Sequence, residues 1–181
     1  MRMIARTLTL LALLAFSARA SHAAVFSAVE VLSSTVMQKH QSSFSGLGLR
    51  ARIQPPQLME GFSLMPTLEY WRNQNTIQTF GIRSTRKDAA LAGLLRYDFK
   101  RSGFQPYLGV GLGMHFLSNE VDAPSLGLND ASDSLIKGGV AVLGGASFGL
   151  AGRLGNLIEL EYHRLSEESQ LKINWGLSVG F

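Results

Sequence analysis

The last strand-length segment of the chain, Leu171–Phe181, alternates strictly between two kinds of side chain. Every second residue is apolar: Leu171, Ile173, Trp175, Leu177, Val179 and Phe181. The residues between them are small or polar: Lys172, Asn174, Gly176, Ser178 and Gly180. A period of two over this length is typical of a β-strand with one face in an apolar medium and the other in a polar one. The segment therefore predicts a two-faced strand that runs to the final residue.

Seven further segments show the same period, and the connections between them differ in length. The predicted strands are Val25–Ser34, Phe44–Gln54, Phe62–Arg72, Ala89–Lys100, Gln105–Ser118, Leu135–Leu150, Asn156–Leu165 and Leu171–Phe181. The connections after the third and fifth strands are long, at Asn73–Asp88 and Asn119–Ser134, whereas those after the second, fourth and sixth are short. Short turns on one side and longer loops on the other are typical of bacterial transmembrane barrels.

The fold class predicted from these strands is all-β, an eight-stranded antiparallel up-and-down transmembrane β-barrel. Strands of about ten residues are long enough for a tilted membrane crossing. Closure is required because every backbone group in lipid must find a partner. Outward aromatic residues fall near the strand ends, as expected for interfacial girdles: Tyr97, Phe99, Phe148 and Phe181 at one end, and Tyr70, Phe116 and Tyr162 at the other. A soluble β-sandwich would give a similar alternation and is the alternative fold.

The N-terminal segment has the three parts of a secretory signal peptide. Arg2 and Arg6 precede the short apolar run Leu8–Phe16, and small residues suitable for cleavage follow, ending at Ala20 or Ala23. We therefore predict a signal peptide at residues 1–23 and a barrel domain at 24–181. The apolar run is too short for a transmembrane helix.

Composition excludes several functional classes. Removing residues 1–23 takes away three arginines and no acidic residue, which lowers the formal net charge from +4 to +1. The high isoelectric point therefore gives no argument for nucleic-acid binding. The chain contains no cysteine, which excludes disulfides, thiol nucleophiles and cysteine-based metal sites.

The polar strand faces carry equal numbers of positive and negative side chains. These are Arg50, Arg52, Arg96, Lys137 and Lys172 against Glu30, Glu69, Asp98, Glu159 and Glu161. Eight strands give an interior that side chains just fill, and buried charges are costly unless they are paired. We expect a lumen filled by ion pairs. The glycines of Gly109–Gly113 lack the helix and spacing of a phosphate-binding loop, and we expect them to leave room inside a narrow barrel.

Two stretches resemble the small outer-membrane β-barrel proteins of Gram-negative bacteria, of the OmpX, opacity-protein and OmpA membrane-domain type. One is the predicted hairpin from Leu94 to Phe99 and Gln105 to Gly113, with its Pro-Tyr-Leu-Gly-Val-Gly-Leu-Gly sequence. The other is the C-terminal segment, similar to the assembly signal of such barrels at Asn174, Gly176, Val179 and Phe181, although Val179 replaces the aromatic often found there. The resemblance implies a monomer in the bacterial outer membrane, in contact with outer-membrane lipid and lipopolysaccharide, and inserted by the barrel-assembly machinery.

The predicted role is structural or interactive, through the two long loops, with no enzyme activity and no cofactor. The first alternative is a lipid A-type deacylase, an ester hydrolase with His163 as base, Ser166 as nucleophile and an acid such as Glu161. Ser166 lies three residues from His163, so a bulge would be needed to bring them to one face. The second alternative is a narrow channel, which a charge-filled lumen disfavours.

Other polar residues are expected to be structural. His115 lies in a row of inward glycines and could join His163 and a carboxylate in a metal site, but a hydrogen-bonded lumenal histidine is the simpler interpretation. Asp122, Asp130 and Asp133 do not have the spacing of a calcium loop. We predict no metal site. His40 is expected to lie in a solvated loop.

Overall fold

The computed structural model is a closed barrel of eight antiparallel strands in sequential order, with the first strand paired to the last. This confirms the predicted fold class. The structure describes residues 26–39, 43–55, 58–77, 82–99, 103–123, 128–166 and 168–181, and the side chains at 77 and 128–131 are not described. The predicted signal peptide at 1–23 and His40 lie outside these ranges.

The strands are β1 Phe26–Gln38, β2 Phe44–Ile53, β3 Phe62–Ile77, β4 Ile82–Asp98, β5 Phe104–Ala123, β6 Leu128–Ala151, β7 Leu154–Leu165 and β8 Ser169–Gly180. We call the end that carries both β1's first residue and β8's last residue the inner end, and the opposite end the outer end. Glycines with positive φ lie between strands at the inner end, at Gly61, Gly103 and Gly152. Glycine adopts this conformation without the steric cost that a side chain would add, so these connections can turn tightly.

Burial alternates along the strands as the sequence predicts. On β8, Lys172 and Asn174 are fully buried in the lumen, whereas Trp175 and Leu177 on the outer wall are about half exposed. The same arrangement holds around the barrel: charged residues lie inside and apolar residues lie outside. A soluble β-sandwich would bury the apolar face instead, so the burial pattern contradicts that alternative.

The prediction of two long loops at Asn73–Asp88 and Asn119–Ser134 is wrong, because most of these residues continue the strands. β3 and β4 remain paired from Arg72↔Lys87 to Ile77↔Ile82, and β5 and β6 remain paired beyond Ser118↔Ser134. Beyond the membrane both faces of a strand meet water, so the apolar alternation that marks a strand in the sequence disappears while the backbone ladder continues. The result is two tall hairpins at the outer end.

Glycines on the lumen side allow close packing at mid-barrel. A Cβ atom at Gly109 would lie 2.9 Å from Leu143 Cδ1, and one at Gly145 would lie 2.7 Å from Tyr107 Oη. Met65, Leu94, Tyr107 and Leu143 form a buried apolar cluster at this level. The prediction that Gly109–Gly113 leaves room inside the barrel agrees with the distance at Gly109, since a barrel of this width holds few large residues per layer.

Aromatic residues encircle the outer wall near its two ends. At the inner end, ring centroids are 4.8 Å apart in the Phe62–Tyr97 pair and 5.2 Å apart in the Phe104–Phe148 pair. At the outer end, Tyr70, Phe116 and Tyr162 are each about half exposed. These positions agree with the predicted interfacial girdles.

In the part of the chain that the structure describes, no helix has the length and apolar character needed to cross a membrane.

Candidate functional site

Arg50 on β2 connects opposite walls of the lumen. Its Nη1 and Nη2 donate hydrogen bonds to the two carboxylate oxygens of Glu159 on β7, at 2.9 and 3.1 Å, and its Nε donates to Thr67 Oγ1 at 3.1 Å. The Arg50 and Glu159 side chains are fully buried. Bidentate arginine–carboxylate contacts are among the stronger hydrogen-bonded pairs in proteins. Since β2 and β7 are not neighbours in the sheet, this pair fixes the lumen across its width.

A second cluster of charges lies toward the inner end. Glu30 Oε1 on β1 accepts from Arg52 Nη2 at 2.6 Å and lies 3.5 Å from Arg96 Nη1. Arg96 Nε also donates to Asp98 Oδ1 at 2.9 Å, and its guanidinium lies 3.4 Å from the centre of the Tyr107 ring. The face of an aromatic ring attracts a cation, so Tyr107 holds Arg96 in place beside its two acids.

Toward the outer end, four buried side chains form a continuous chain of contacts across the lumen. Asp88 Oδ2 on β4 lies 2.8 Å from His115 Nδ1 on β5, and His115 Nε2 lies 3.0 Å from His163 Nδ1 on β7. His163 Nε2 in turn lies 2.5 Å from Glu161 Oε1. We call Asp88, His115, His163 and Glu161 the lumenal relay. The contacts of His115 agree with its interpretation as a hydrogen-bonded lumenal histidine.

The lumenal relay has three contacts, which is one more than two neutral histidines can supply with a hydrogen. Its three contacts each require one hydrogen, and a neutral imidazole carries one N–H. Two neutral imidazoles therefore supply two hydrogens, and all three contacts can be hydrogen bonds only with a third hydrogen in the row.

Lys172 and Asn174 on β8 join the relay to the Arg50 pair. Lys172 Nζ is paired with Glu69 on β3 and lies 3.4 Å from His163 Nε2. The Asn174 side-chain nitrogen donates to Glu159 at 2.8 Å and to Glu161 at 2.9 Å. A single network of side chains thus runs through most of the barrel height.

Glu168 closes the outer mouth of the lumen. Its carboxylate is paired with Arg86 from β4 and with Lys137 from β6, the latter at 3.1 Å. Partial burial disfavours ionisation of this carboxyl, but the hydrogen bonds and positive charges of Lys137 and Arg86 outweigh it and hold the pKa of Glu168 below its ordinary value. The β7–β8 connection is therefore held to two other strands by charge.

The sequence predicted the charges of this network but not all of its members. All ten residues assigned to the polar face take part in ion pairs, as in Arg52 with Glu30 and Lys172 with Glu69. Asp88 was missed, because it was placed in a loop. The signal that could have found it is its position directly before the apolar alternation of β4 begins at Ala89.

The hydrolase candidates do not meet in this structure. His163 points into the lumen and is buried, and both of its ring nitrogens contact other side chains. Ser166 follows β7 and is exposed, which fits its odd separation from His163. Glu161 contacts His163 but is also bonded to Asn174. A nucleophile must lie within hydrogen-bond reach of its base, and this arrangement gives the hydrolase alternative no support.

The other candidate residues occupy separate places. Among the described residues, no group of three or more His, Asp and Glu side chains is arranged to hold a metal ion. Asp122 and Asp133 lie on the β5–β6 hairpin, and Asp130 is in the same hairpin with an undescribed side chain. The described part of the lumen therefore offers paired charges and hydrogen-bonded histidines.

The four residues predicted as an assembly signal occupy both faces of β8 and the residue that follows it. Asn174 is bonded in the lumen, and a Cβ at Gly176 would lie 2.6 Å from Leu32 Cδ2. Val179 and Phe181 face outward and are nearly half exposed, and the Phe181 backbone nitrogen donates to Ser27 O at 3.0 Å. The assembly role itself stays a prediction.

A closed barrel with an apolar outer wall, aromatic girdles and a charge-paired lumen defines an integral outer-membrane β-barrel protein. The sequence profile described as "Opacity family porin protein" matches residues 68–181, from within β3 to the last residue. The chain therefore belongs to the opacity family and is a protein of the bacterial outer membrane. A comparison with curated protein sequences finds no match.

Solved structures of low sequence identity share the fold. Neisserial surface protein A is similar with a TM-score of 0.63 and 16% identity, over 86% of this chain and 96% of that one. Ail, the attachment invasion locus protein of Yersinia pestis, was solved in complex with the heparin analogue sucrose octasulfate. It is similar with a TM-score of 0.60 and 14% identity, over 86% of this chain and 97% of that one. A major outer membrane protein from Thermus thermophilus is similar with a TM-score of 0.64 and 12% identity, over 86% of this chain and 99% of that one.

Proposed function

We propose that the protein acts at the cell surface by presenting the β3–β4 and β5–β6 hairpins on a barrel that does not conduct. The observation that carries this proposal is the lumen filled by fully buried ion pairs, with Arg50 bridging β2 and β7. The strands beside it rise well beyond the outer girdle, since β5 has 20 residues and β6 has 24. A rigid barrel below and paired strands above suit a platform for surface contacts.

The two hairpins carry opposite charges. Beyond the outer girdle, β3 and β4 contribute Arg72, Arg83, Arg86 and Lys87, whereas β5 contributes Glu120 and Asp122. Lys87 is paired with Glu120, and Arg86 with Glu168. Arg72 and Arg83 are exposed and, among the described residues, have no carboxylate partner. The basic hairpin thus offers two cations to an anionic partner.

A sulfated saccharide is the partner we propose for the β3–β4 hairpin. The support is the charge of Arg72 and Arg83, together with the sulfated saccharide bound to Ail, whose fold is similar. Sulfate groups are acceptors for arginine, whose planar fork of donors matches them.

Binding of sucrose octasulfate to the full-length protein in nanodiscs tests this proposal. The double variant Arg72→Gln/Arg83→Gln is expected to weaken binding by about three- to tenfold, because exposed charge contacts contribute about 0.2–1 kcal/mol each. Arg153→Gln in an inner-end turn is the matched control and should bind like the wild type. Equal binding by the wild type and the double variant would exclude the hairpin as the site.

Planar-bilayer recording tests the absence of conduction. The family description contains the word porin, but the lumen has Arg50 and Glu159 clamped across its width. We expect no steady conductance from the wild-type protein. Open channels of uniform size in the wild type would overturn the proposal and favour the narrow-channel alternative.

Export and assembly complete the proposal. We propose that a signal peptide within residues 1–23 is removed by cleavage after Ala20 or Ala23. We also propose that Asn174, Gly176, Val179 and Phe181 are recognised by the barrel-assembly machinery, which inserts a monomer. Intact-mass analysis of the mature protein tests the cleavage. Phe181→Ala, compared with Phe26→Ala at the same end of the barrel, tests the assembly signal: only the former should reduce insertion when both variants refold equally well in detergent.

A further inference from the structure

In its outer half, the outer wall is apolar on β7 and β8 up to the rim, whereas β1 beside them also carries the outward residues Ser33 and Thr35. The outward residues nearest that rim are Tyr162 on β7, Leu171 on β8 and Met37 on β1, and Tyr162 is about half exposed. Below them the wall continues with apolar residues such as Leu160 and Ile173. This wall faces the acyl chains of the membrane, and Tyr162 marks the level at which polar headgroups begin.

Two cations lie directly above this level. Arg164 is the next outward residue after Tyr162, and Lys39 immediately follows β1; both side chains are exposed. In the described part of the chain, neither of them has an ion pair. The outward positions of β7, β8 and β1 that the structure describes contain no carboxylate, and Glu168 is bonded to Arg86 and Lys137. Among the residues that the structure describes, the rim of this wall therefore carries positive charge without a paired carboxylate.

The strand register brings the two cations to one place. Arg164 on β7 is paired with Ser169 on β8, and the β8–β1 ladder reaches Gln170↔Gln38, so Lys39 continues it opposite Ser169. Neighbouring strands are about 4.8 Å apart, which puts the Arg164 and Lys39 backbones about 10 Å from each other. Two long side chains across this spacing can converge on one phosphate group, with the Ser169 hydroxyl between them as a further donor.

The position of these cations selects the lipid. They lie at the outer end, opposite the end at which β1 begins and β8 ends. In an outer-membrane barrel the outer end faces the cell exterior. We propose that Arg164, Lys39 and Ser169 bind a phosphate group of lipopolysaccharide in the outer leaflet, with its acyl chains lying along β7, β8 and β1. The site is distinct from the β3–β4 hairpin and does not depend on a saccharide partner there.

The opposite wall provides an internal comparison. Arg72 and Lys87 are paired across β3 and β4 above Tyr70, so two cations also meet there. However, Lys87 is paired with Glu120 and Arg72 donates to Gln74 Oε1 at 3.2 Å. Because Glu120 already neutralises Lys87, one of these two cations, the β7–β8–β1 wall is expected to bind a phosphorylated lipid more tightly.

Native mass spectrometry of the full-length protein with purified lipopolysaccharide tests the proposal. The wild type is expected to retain lipopolysaccharide, and Lys39→Gln/Arg164→Gln to reduce that retention about tenfold, which is the loss expected for charge-assisted hydrogen bonds. Arg153→Gln, an exposed cation at the inner end, is the matched control and should retain as much as the wild type. Arg72→Gln/Lys87→Gln should have a smaller effect than Lys39→Gln/Arg164→Gln.

Two further arms identify the ligand. Enzymatically dephosphorylated lipopolysaccharide should bind the wild type as weakly as intact lipopolysaccharide binds the double variant. Vesicles of phosphatidylglycerol should compete poorly, since this lipid brings one phosphate without the saccharide and acyl chains of lipopolysaccharide. Equal retention by the double variant, equal binding of the dephosphorylated lipid, or full competition by phosphatidylglycerol would each overturn the proposal. Heat-modifiable gel migration of each variant shows that it has folded.

Discussion

Arg50 is the side chain at which most of the lumenal charge converges. It is bonded to Glu159 and Thr67, and its guanidinium lies within 3.7 Å of Glu30 and 3.6 Å of Glu161. Three carboxylates thus share one guanidinium in a volume without bulk water. The positive charge of Arg50 is needed mainly because it neutralises these carboxylates, since an unpaired buried carboxylate is costly. The favourable energy of any one ion pair matters less.

Arg50→Leu is therefore expected to lower the free energy of unfolding by about 3–5 kcal/mol, the usual cost of breaking a buried ion pair. Urea unfolding of the protein in lipid, followed by tryptophan fluorescence, measures it. Arg72→Leu, on the exposed face of β3, is the control and should change stability by less than about 0.5 kcal/mol. A loss of the same size in both variants would mean that the Arg50 pairs do not stabilise the barrel.

The lumenal relay leads to a prediction about protonation. Its three contacts can all be hydrogen bonds only with one hydrogen more than two neutral imidazoles carry. Nitrogen-15 NMR of the ring nitrogens of His115 and His163 should show this hydrogen, either as one doubly protonated ring or as a hydrogen bond shared with Asp88 or Glu161. Asp88→Asn places an amide at one end of the relay and should change the His115 signals more than those of any other histidine. Two neutral rings with unshared protons would contradict the proton count.

Within β6, the lumen face depends on glycine where a large neighbour needs the space. A Cβ at Gly145 would meet Ile158 O at 2.5 Å and Tyr107 Oη at 2.7 Å, whereas one at Gly138 would meet nothing within 4 Å. Gly145→Ala is therefore expected to displace Tyr107 from Arg96 and to cost about 1–3 kcal/mol, the range for overpacked cores. Gly138→Ala on the same strand is the matched control. Equal thermal stability of the two variants would show that the Tyr107 ring moves without cost.

The β7–β8 connection should respond to acid. The lowered pKa of Glu168 means that its pairs with Arg86 and Lys137 contribute fully above the ordinary carboxyl pKa of 4.5 and are lost as pH falls through the lower folded value. Hydrogen exchange of the Leu165 amide, which donates to Glu168 O at 2.8 Å, should therefore lose protection as pH falls below 4.5, beyond the intrinsic pH effect. Glu168→Gln should remove this acid step, whereas Glu120→Gln should keep it. An acid step that persists in Glu168→Gln would assign it to another group.

The strand elements could be predicted from the sequence only where one face is apolar. The alternation in Leu171–Phe181 predicts β8 almost to the residue, since the structure gives Ser169–Gly180. The outer parts of β3 to β6 could not be predicted in this way, because both of their faces are wetted. Asp88 was missed for the same reason. Charge matching predicted which residues line the lumen, but the meeting of His115 with His163 depends on a cross-barrel register that strand patterns do not contain.

For the whole molecule, the division between wall and hairpins suggests that they fold separately. The Arg50 pairs, the lumenal relay and both girdles lie below the level of Arg72 and Ser118, and the ladder that closes the barrel between β1 and β8 ends at Gln38↔Gln170. Up to that level every backbone group is paired by barrel closure. The tall hairpins add strand pairs in water, where a ladder of this kind is only marginally stable without the wall beneath it.

Shortening the hairpins should therefore leave the barrel intact. Replacing residues 74–85 by a two-residue Asn-Gly turn, and residues 120–132 in the same way, retains Arg86, Glu168 and Lys137 at the mouth and uses the turn type that antiparallel strands prefer. Both shortened proteins are expected to insert into outer membranes with unchanged heat-modifiable migration. Only removal of 74–85 should weaken sucrose octasulfate binding, because only that segment contains Arg83, whereas lipopolysaccharide retention should persist in both. A shortened protein that no longer inserts would show that the hairpins are part of the folding unit and not surface features carried by it.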